Sequence, residues 1–334
     1  MQPPLISFET PQQLRQALGT YLPATNDVGL NFETLVSNNL PPLVSATAFG
    51  TVLGVNPKLL TAMTKFPDKY YREFTIKRRS GGLRQIRAPR TFLKTVQQYI
   101  HKYILSQLEV PSHVTGFVKG RGVISNALIH KAAPYILNVD IEDFFGSITE
   151  KTVREFFLEL GYNVDMARLL MRLCTYGGSL PQGAPTSPAL ANHIFSTVDL
   201  GILELCTPNS LNYSRYADDL TFSGAKRIPQ EFLHELQVLL KTHGFKLNQK
   251  KTRFSRPGQA KYVTGLVVNE RVQAPRELRR NLRAMFHNAE KAPSSFAERP
   301  HHLLGWASYV NSYDRQLGAK YLKIGKRIAL EMGG

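Results

Sequence analysis

The sequence predicts an α+β protein organised around antiparallel hairpins, and three observations predict it. Tyr71 to Lys77 alternates Phe74 and Ile76 against charged neighbours, and the RRSGG turn leads into a second strand at Leu83 to Ile86. Leu211 to Tyr216 and Leu220 to Ser223 alternate on either side of Ala217, Asp218 and Asp219, giving a hairpin with acids at its tip. Elsewhere apolar residues recur at helical spacing, and the stretch from Arg271 to Gly334 reads as helical and basic.

In chain order, the segment before Pro42 reads as short helical pieces, and Ser45 to Thr64 as two helices broken at Gly54 to Pro57. Thr91 to Leu108 has a helical stripe through Leu93, Val96, Ile100, Ile104 and Leu108. Pro134 to Asp140, PYILNVD, is a short apolar run ending in a carboxylate, the pattern of a buried strand. Lys151 to Gly161, Val164 to Cys174 and Ser187 to Leu205 follow as helices. Pro and Gly clusters at Leu40 to Pro42, Ser80 to Gly82, Gly177 to Gly183 and Pro293 to Pro300 mark seams, and no internal repeat is visible.

With 334 residues, of which 43% are hydrophobic, the chain can bury one large core or a few linked subdomains, which excludes disordered and fibrous classes. Its 42 Lys plus Arg against 25 Asp plus Glu leave +17, so a phosphate-rich partner is expected. Arg271 to Gly334 alone carries 12 − 5 = +7. Thr34 to Pro57 and Leu173 to Val198 are uncharged but interrupted by Pro, Gly and amides, unlike the roughly 20 apolar residues of a membrane span. The N-terminus lacks a basic segment followed by an apolar one, so a cytoplasmic location without membrane contact is expected. Cys174 and Cys206 are the only cysteines, which argues for two buried thiols and against disulfides or structural zinc.

Asp218 and Asp219 repel each other on one turn, and Asp140, at the end of a separate apolar strand, supplies a facing carboxylate. Three converging carboxylates suit a site for two divalent ions that activates a hydroxyl for phosphoryl transfer. A lone Asp pair is usually a solvated turn. YADD between two strands, with PYILNVDIEDFF upstream, favours the metal reading.

On these residues the chain resembles a bacterial retron reverse transcriptase. Tyr216 to Asp219 match the family's YADD box, Asp140 in NVDIEDFF its first catalytic aspartate, and LPQGAPTSP, Leu180 to Pro188, its nucleotide-supporting box. Asn126, Ala127 and His130 fit the retron NAxxH motif, and Val263, Thr264 and Gly265 its VTG motif; the match spans about Tyr71 to Asn269. The resemblance implies a right-hand polymerase: an N-terminal helical region over residues 1–66, fingers with part of the palm over 67–134, a palm with an antiparallel sheet and the YADD site over 135–269 and a helical, RNA-binding thumb over 270–334.

It also implies roles. Asp140, Asp218 and Asp219 bind two Mg2+ ions, and Lys251 protonates the pyrophosphate leaving group, with Lys250 beside it leaving the register open. Glu142 and Asp143 fall outside the metal set because neighbouring side chains alternate along a strand and the strand is expected to end here. Arg84 matches the triphosphate-binding arginine of a basic cluster with Lys77, Arg78 and Arg79; Gln182, Gly183 and Tyr216 serve the nucleotide. Phe145 reads either as an aromatic gate against the ribose 2′-OH or as a core aromatic. Asn126, His130, Val263, Thr264, Gly265, Arg315, Lys320 and Lys323 are assigned to RNA, with His130 open to a structural role and Tyr309, Tyr313 and Tyr321 open between RNA and a helical core. Glycines in GFVKGRG, Gly116 to Gly122, read as a phosphate-approaching or an ordinary loop.

The family further implies dNTP substrates and a cognate noncoding RNA copied into multicopy single-stranded DNA from a guanosine 2′-OH. A host RNase H removes the template, and a toxic effector encoded nearby completes an antiphage ribonucleoprotein. Three other readings stand beside this one: a group II intron-like or other bacterial reverse transcriptase using a 3′-OH primer, an RNA-binding scaffold or antitoxin with a dispensable polymerase site, and a generic basic RNA-binding protein, which would have no need of Asp140, Asp218 and Asp219.

Overall fold

The structure, a computed structural model, describes residues 26–77, 81–296 and 300–332. Among the described residues, helices α1 (Asn26–Ser37), α2 (Ala46–Leu53) and α3 (Pro57–Lys65) come first. The Ser45 hydroxyl accepts from the Ala48 N–H at 3.0 Å to start α2, Gly54 ends it at φ 67°, and Asn56 with Pro57 begins α3, so the expected break has its caps. Strands β1 (Tyr71–Lys77) and β2 (Leu83–Pro89) pair antiparallel, with Phe74 opposite Ile86 and Ile76 opposite Arg84. The second strand runs to Pro89 rather than Ile86, and Arg78 and Arg79 lie outside the described residues. Helix α4 (Thr91–Tyr103) stops before the expected Leu108 because a 3-10 turn over Leu105–Gln107 changes the phase of the chain, which keeps Ile104 and Leu105 buried.

Next come α5 (Val123–Ile129), β3 (Tyr135–Glu142), α6 (Glu150–Glu159) and α7 (Val164–Cys174). The single helix expected from Ser187 is two, α8 (Ser187–Ile194) and α9 (Ser196–Cys206), bent by 45° at Phe195. Phe195 is fully buried with its ring edge-on to Phe144 and Phe245 at 5.5 and 4.9 Å, so an aromatic core sets the bend. Strands β4 (Asn212–Tyr216) and β5 (Asp219–Gly224) form the acid-tipped hairpin. They precede α10 (Gln230–Thr242), β6 (Lys246–Leu247), β7 (Arg253–Ser255), β8 (Tyr262–Val263) and β9 (Leu266–Val267). Helices α11 (Arg276–Lys291), α12 (Pro300–Tyr313) and α13 (Arg315–Met332) bear out the helical C-terminal region.

The chain forms two compact units. The first runs to Pro111 and includes Glu142–Gly201 and Lys241–Phe245; it carries the β1–β2 hairpin and the Phe144 aromatic core. The second, from Ser112–Ile141, Ile202–Leu240 and Lys246 onward, holds a five-stranded sheet of order β4-β5-β3-β6, with β7 also on β3. The β3–β5, β4–β5 and β3–β7 pairings are antiparallel, and β3 is the central strand, which explains its near-continuous apolar run. In this unit α11 to α13 share a core of Leu282, Phe286, Leu303, Val310, Tyr321 and Ile328, with Phe286 stacked on Tyr321 at 3.9 Å. Ala127 of α5 packs with Ile136, Val263, Leu266 and Val268 in a second cluster. Cys174 and Cys206 are buried free thiols, and no single described helix is long and apolar enough to cross a membrane.

Candidate active site

Strand register brings the acids together. Asp140 on β3 pairs with Asp219 on β5, and directly opposite residues of antiparallel strands project from one face. Tyr216 pairs with Asp219 across β4 and β5, leaving Ala217 and Asp218 as a two-residue turn. The Ile141 N–H donates to the Asp218 carbonyl at 2.9 Å, and the Asn248 N–H donates to the Asp140 carbonyl at 2.8 Å, so backbone bonds hold the turn against β3. One ligand atom from each of Asp140, Asp218 and Asp219 lies within 4.8 Å of the others, the one such acidic group among the described residues. An all-oxygen donor set of this kind fits a hard divalent cation.

Asp140 is buried, while Lys251 projects from the solvent side and its Nζ reaches Asp140 Oδ2 at 2.8 Å. Between the two adjacent lysines, Lys251 therefore joins the acids. Desolvation, then the charges of Asp218 and Asp140, raise the Asp219 carboxyl to about 7, while Lys251 opposes the shift. Asp219 keeps an open face to solvent, so crowding by two carboxylates is the firmer of these causes. Lys251 is one cation against three carboxylates, and a bound divalent ion would supply the positive charge that this leaves short.

The turn itself is strained. Ala217 sits at φ 57°, a left-handed conformation costing an L-residue about 1–2 kcal/mol. What holds it is Gly116: a Cβ there would lie 2.5 Å from the Ala217 nitrogen and 3.0 Å from the Tyr216 carbonyl carbon, so no larger residue fits behind the turn. The neighbouring chain is fastened to β4, with the Thr115 N–H donating to the Arg215 carbonyl at 2.8 Å and the Arg215 N–H to the His113 carbonyl at 2.9 Å. Gly116 thus approaches the protein's own backbone. The glycines of GFVKGRG offered the signal, but sequence alone did not say what they approach.

The family described as reverse transcriptase (RNA-dependent DNA polymerase) matches residues 76–305, a span containing the three aspartates and Lys251. The chain is 36% identical over 286 residues to the retron Ec86 reverse transcriptase of Escherichia coli, covering 84% of this chain and 86% of that protein. The chain belongs to the retron reverse transcriptases. It is an RNA-dependent DNA polymerase. The retron Mx162 reverse transcriptase of Myxococcus xanthus is 32% identical over 336 residues, covering 89% of this chain and 69% of that protein. Among solved structures, a telomerase from Candida albicans in complex with a fragment of telomeric RNA covers 81% of this chain and 65% of that chain. Its 10% identity and TM-score of 0.47 are too distant to bear on function.

On the first unit of this reverse transcriptase, Arg84 is exposed on β2, and strand alternation puts it on the same face as Ile86. Gly183 packs there: at φ 123°, a Cβ on it would lie 3.0 Å from Ile86 Cγ2 and 3.1 Å from the Arg87 carbonyl oxygen. The Arg87 N–H donates to the Gln182 carbonyl at 2.8 Å, strapping the loop to β2. Arg87, which the sequence reading missed, lays its guanidinium over Tyr176 at 5.3 Å and holds Glu73 at 3.4 Å; alternation along LRQIRAP was the available signal. Phe144 takes the core position, its ring 5.6 Å from that of Phe145, which is only half-buried.

The residues assigned to RNA divide. Arg315, Lys320 and Lys323 are exposed on α13, Gly265 is exposed and Thr264 half-buried in the β8–β9 turn. Asn126, His130 and Val263 are all 0% exposed, so none of these side chains reaches a surface. This departs from the RNA-contact expectation for Asn126 and Val263, and for His130 it favours the structural alternative; the reason is packing, since Val263 belongs to the cluster around Ala127, and Asn126 and His130 hydrogen-bond inside the fold. Thr264 and Gly265 have φ 45° and 80°, the paired positive values of a tight hairpin turn, and Thr264 Oγ1 donates to the Val123 carbonyl at 3.1 Å. The NAxxH and VTG motifs therefore meet. Tyr321 is a core residue, and Tyr309 and Tyr313 pack against the Ala127 cluster.

Proposed function

We propose that the chain copies a cognate retron noncoding RNA into multicopy single-stranded DNA, starting from a guanosine 2′-OH, within an antiphage ribonucleoprotein that restrains an effector. The observation that carries this reading is the acidic group of Asp140, Asp218 and Asp219 in a chain similar along most of its length to retron enzymes. In this reading the β4-β5-β3-β6 sheet is the palm, the exposed β1–β2 hairpin belongs to the fingers, and α11 to α13 form the thumb.

Asp140, Asp218 and Asp219 would hold two Mg2+ ions, which when bound lower the pKa of the attacking hydroxyl and neutralise charge on the leaving oxygen. The chain's own groups do the rest. Lys251 Nζ delivers a proton to the departing pyrophosphate, a contribution of about 100- to 10,000-fold for a general acid. Arg84 pairs with triphosphate oxygens, Gln182, Gly183 and Tyr216 support the nucleotide, and Phe145 excludes a ribose 2′-OH. The RNA backbone docks on the thumb. What supports that docking is a cavity of about 610 Å3 bordered by Lys131, Arg271, Arg279, Arg283 and Arg315, with Asp314 as its lone acid.

The test is to express the gene with its upstream flank in bacteria and seek a short DNA that shifts on RNase and debranching treatment. A branched species absent from the Asp218→Ala, Asp219→Ala double variant is the expected result; linear DNA points to 3′-OH priming, and no DNA to a scaffold.

A further inference from the structure

Beneath the YADD hairpin runs a chain of buried polar groups that the polymerase chemistry does not use. His130, at the end of α5, bridges both strands: Nε2 is 2.7 Å from Ser214 Oγ on β4, and Nδ1 is 2.7 Å from Ser223 Oγ on β5. Ser214 Oγ lies 2.6 Å from the Asn126 side-chain amide, and Thr115 Oγ1 lies 2.9 Å from the same amide atom. Thr115 Oγ1 is also 3.1 Å from the Arg215 carbonyl, one residue before Tyr216. Thr115, Asn126, His130, Ser214 and Ser223 are each at most 1% exposed.

Proton counting fixes the direction of this chain. With Asn126 Oδ1 toward the two hydroxyls, both N–H groups of Nδ2 are left buried without a partner. Orphaned donors are expensive in an interior, and the oxygen and nitrogen of an amide are assigned from hydrogen bonding. Turning the amide over lets Nδ2 donate to Ser214 Oγ and Thr115 Oγ1, and puts the single acceptor Oδ1 where the two unmet donors stood. Thr115 then donates to the Arg215 carbonyl, Ser214 donates to His130 Nε2, and His130 Nδ1–H donates to Ser223 Oγ. Each of these close contacts then has one proton. Burial pushes the His130 pKa down to about 4, consistent with a neutral ring that has one donor and one acceptor nitrogen.

We propose that Asn126 and His130, with Thr115, Ser214 and Ser223, form an internal strut that positions the YADD hairpin, so these motif residues tune catalysis without touching RNA. The physical case is location. Ser214 precedes Tyr216 by two residues on β4 and Ser223 follows Asp219 by four on β5, so the strut grips both arms of the hairpin whose tip carries two of the three acids. A carboxylate displaced by about 1 Å is enough to cost on the order of 100-fold in rate. This inference rests on the polymerase assignment.

The experiment uses the full chain. Ser214→Ala and Ser223→Ala each remove one hydroxyl, and His130→Ala removes the bridge; incorporation of dTTP on a poly(rA)·oligo(dT) template is measured against Mg2+ concentration, beside affinity for a structured RNA. The expected result is a fall in kcat of about 10- to 100-fold. KM for dTTP and RNA affinity should stay within about 3-fold, and half-saturating Mg2+ should rise, because Mg2+ tolerates little distortion of its ligand geometry. Loss of RNA affinity with unchanged kcat would overturn the strut and return these residues to RNA contact. Should His130→Ala fail to fold, the two serine variants still decide. In the parent protein, 15N NMR of His130 should show a single Nδ1–H tautomer; an Nε2–H tautomer or a mixture would overturn the proton chain. An inactive parent with the Nδ1–H tautomer intact would fault the polymerase assignment and not the proton chain.

Discussion

Asp219 is where residue-scale physics is most exposed to test. Its carboxyl is raised to about 7, by desolvation first and then by Asp218 and Asp140, so below that pH the folded, metal-free cluster holds a proton that a cation must displace. In the unfolded chain the group ionises at 3.8, so the folded state binds more protons between 3.8 and about 7, and this group's contribution to stability falls as pH rises through that window. Mg2+ titrated calorimetrically at pH 6.5 in buffers of different ionisation enthalpy should release a substantial fraction of one proton, fading by pH 8. No release at 6.5 would contradict the raised carboxyl. Asp218→Asn and Asp219→Asn should each abolish DNA synthesis while leaving RNA affinity within a few fold, since neither alters the basic surface; retained synthesis would remove these groups from the metal site. These acids were legible in the sequence because two adjacent like charges on a predicted turn need a reason. The Asp140–Lys251 contact was half-legible: composition left two lysines, and only geometry chose Lys251.

At the scale of elements, the β4–β5 hairpin depends on what lies behind it. Gly116→Ala would place a methyl 2.5 Å from the Ala217 nitrogen, against backbone that cannot rotate away. Overpacking of this kind costs about 1–3 kcal/mol, and the turn must shift. The expected outcome is a fully folded variant with a modestly lowered unfolding midpoint and kcat reduced about 100-fold. A Gly116→Ala enzyme as active as the parent would show that the turn has slack. Hairpins and long helices were readable from alternation and helical spacing, because both signals are local. Helix α5 was not: over seven residues, Val123–Ile129, no periodicity establishes itself, and the helix is held by Ala127 packing on Val263 and Leu266. The break at Phe195 was likewise invisible, since a buried aromatic within an apolar helix satisfies the helical pattern whether or not the chain bends.

For the molecule as a whole, net charge governs how it meets its template. A chain at +17 should lose RNA affinity steeply as salt rises, because neutralised phosphates release their counterions. The cavity bordered by Arg279 and Arg283 concentrates that charge. Arg279→Ala combined with Arg283→Ala should weaken RNA binding and reduce the salt slope of log Kd by about 1–2, as expected for removal of two cations. An unchanged slope would place the RNA elsewhere. The sequence by itself determined the chemistry: three carboxylates, the boxes that carry them, the basic surplus and the family follow from residue types at short spacings, which survive without knowledge of contacts. Tertiary structure alone decided which motif residues face a ligand and which face the protein. Asn126, His130 and Val263 sit in motifs that invite an RNA reading, and all three are buried. Burial is a property of what packs around a residue, supplied here by β4, β5, β8 and β9, strands distant from α5 in the chain.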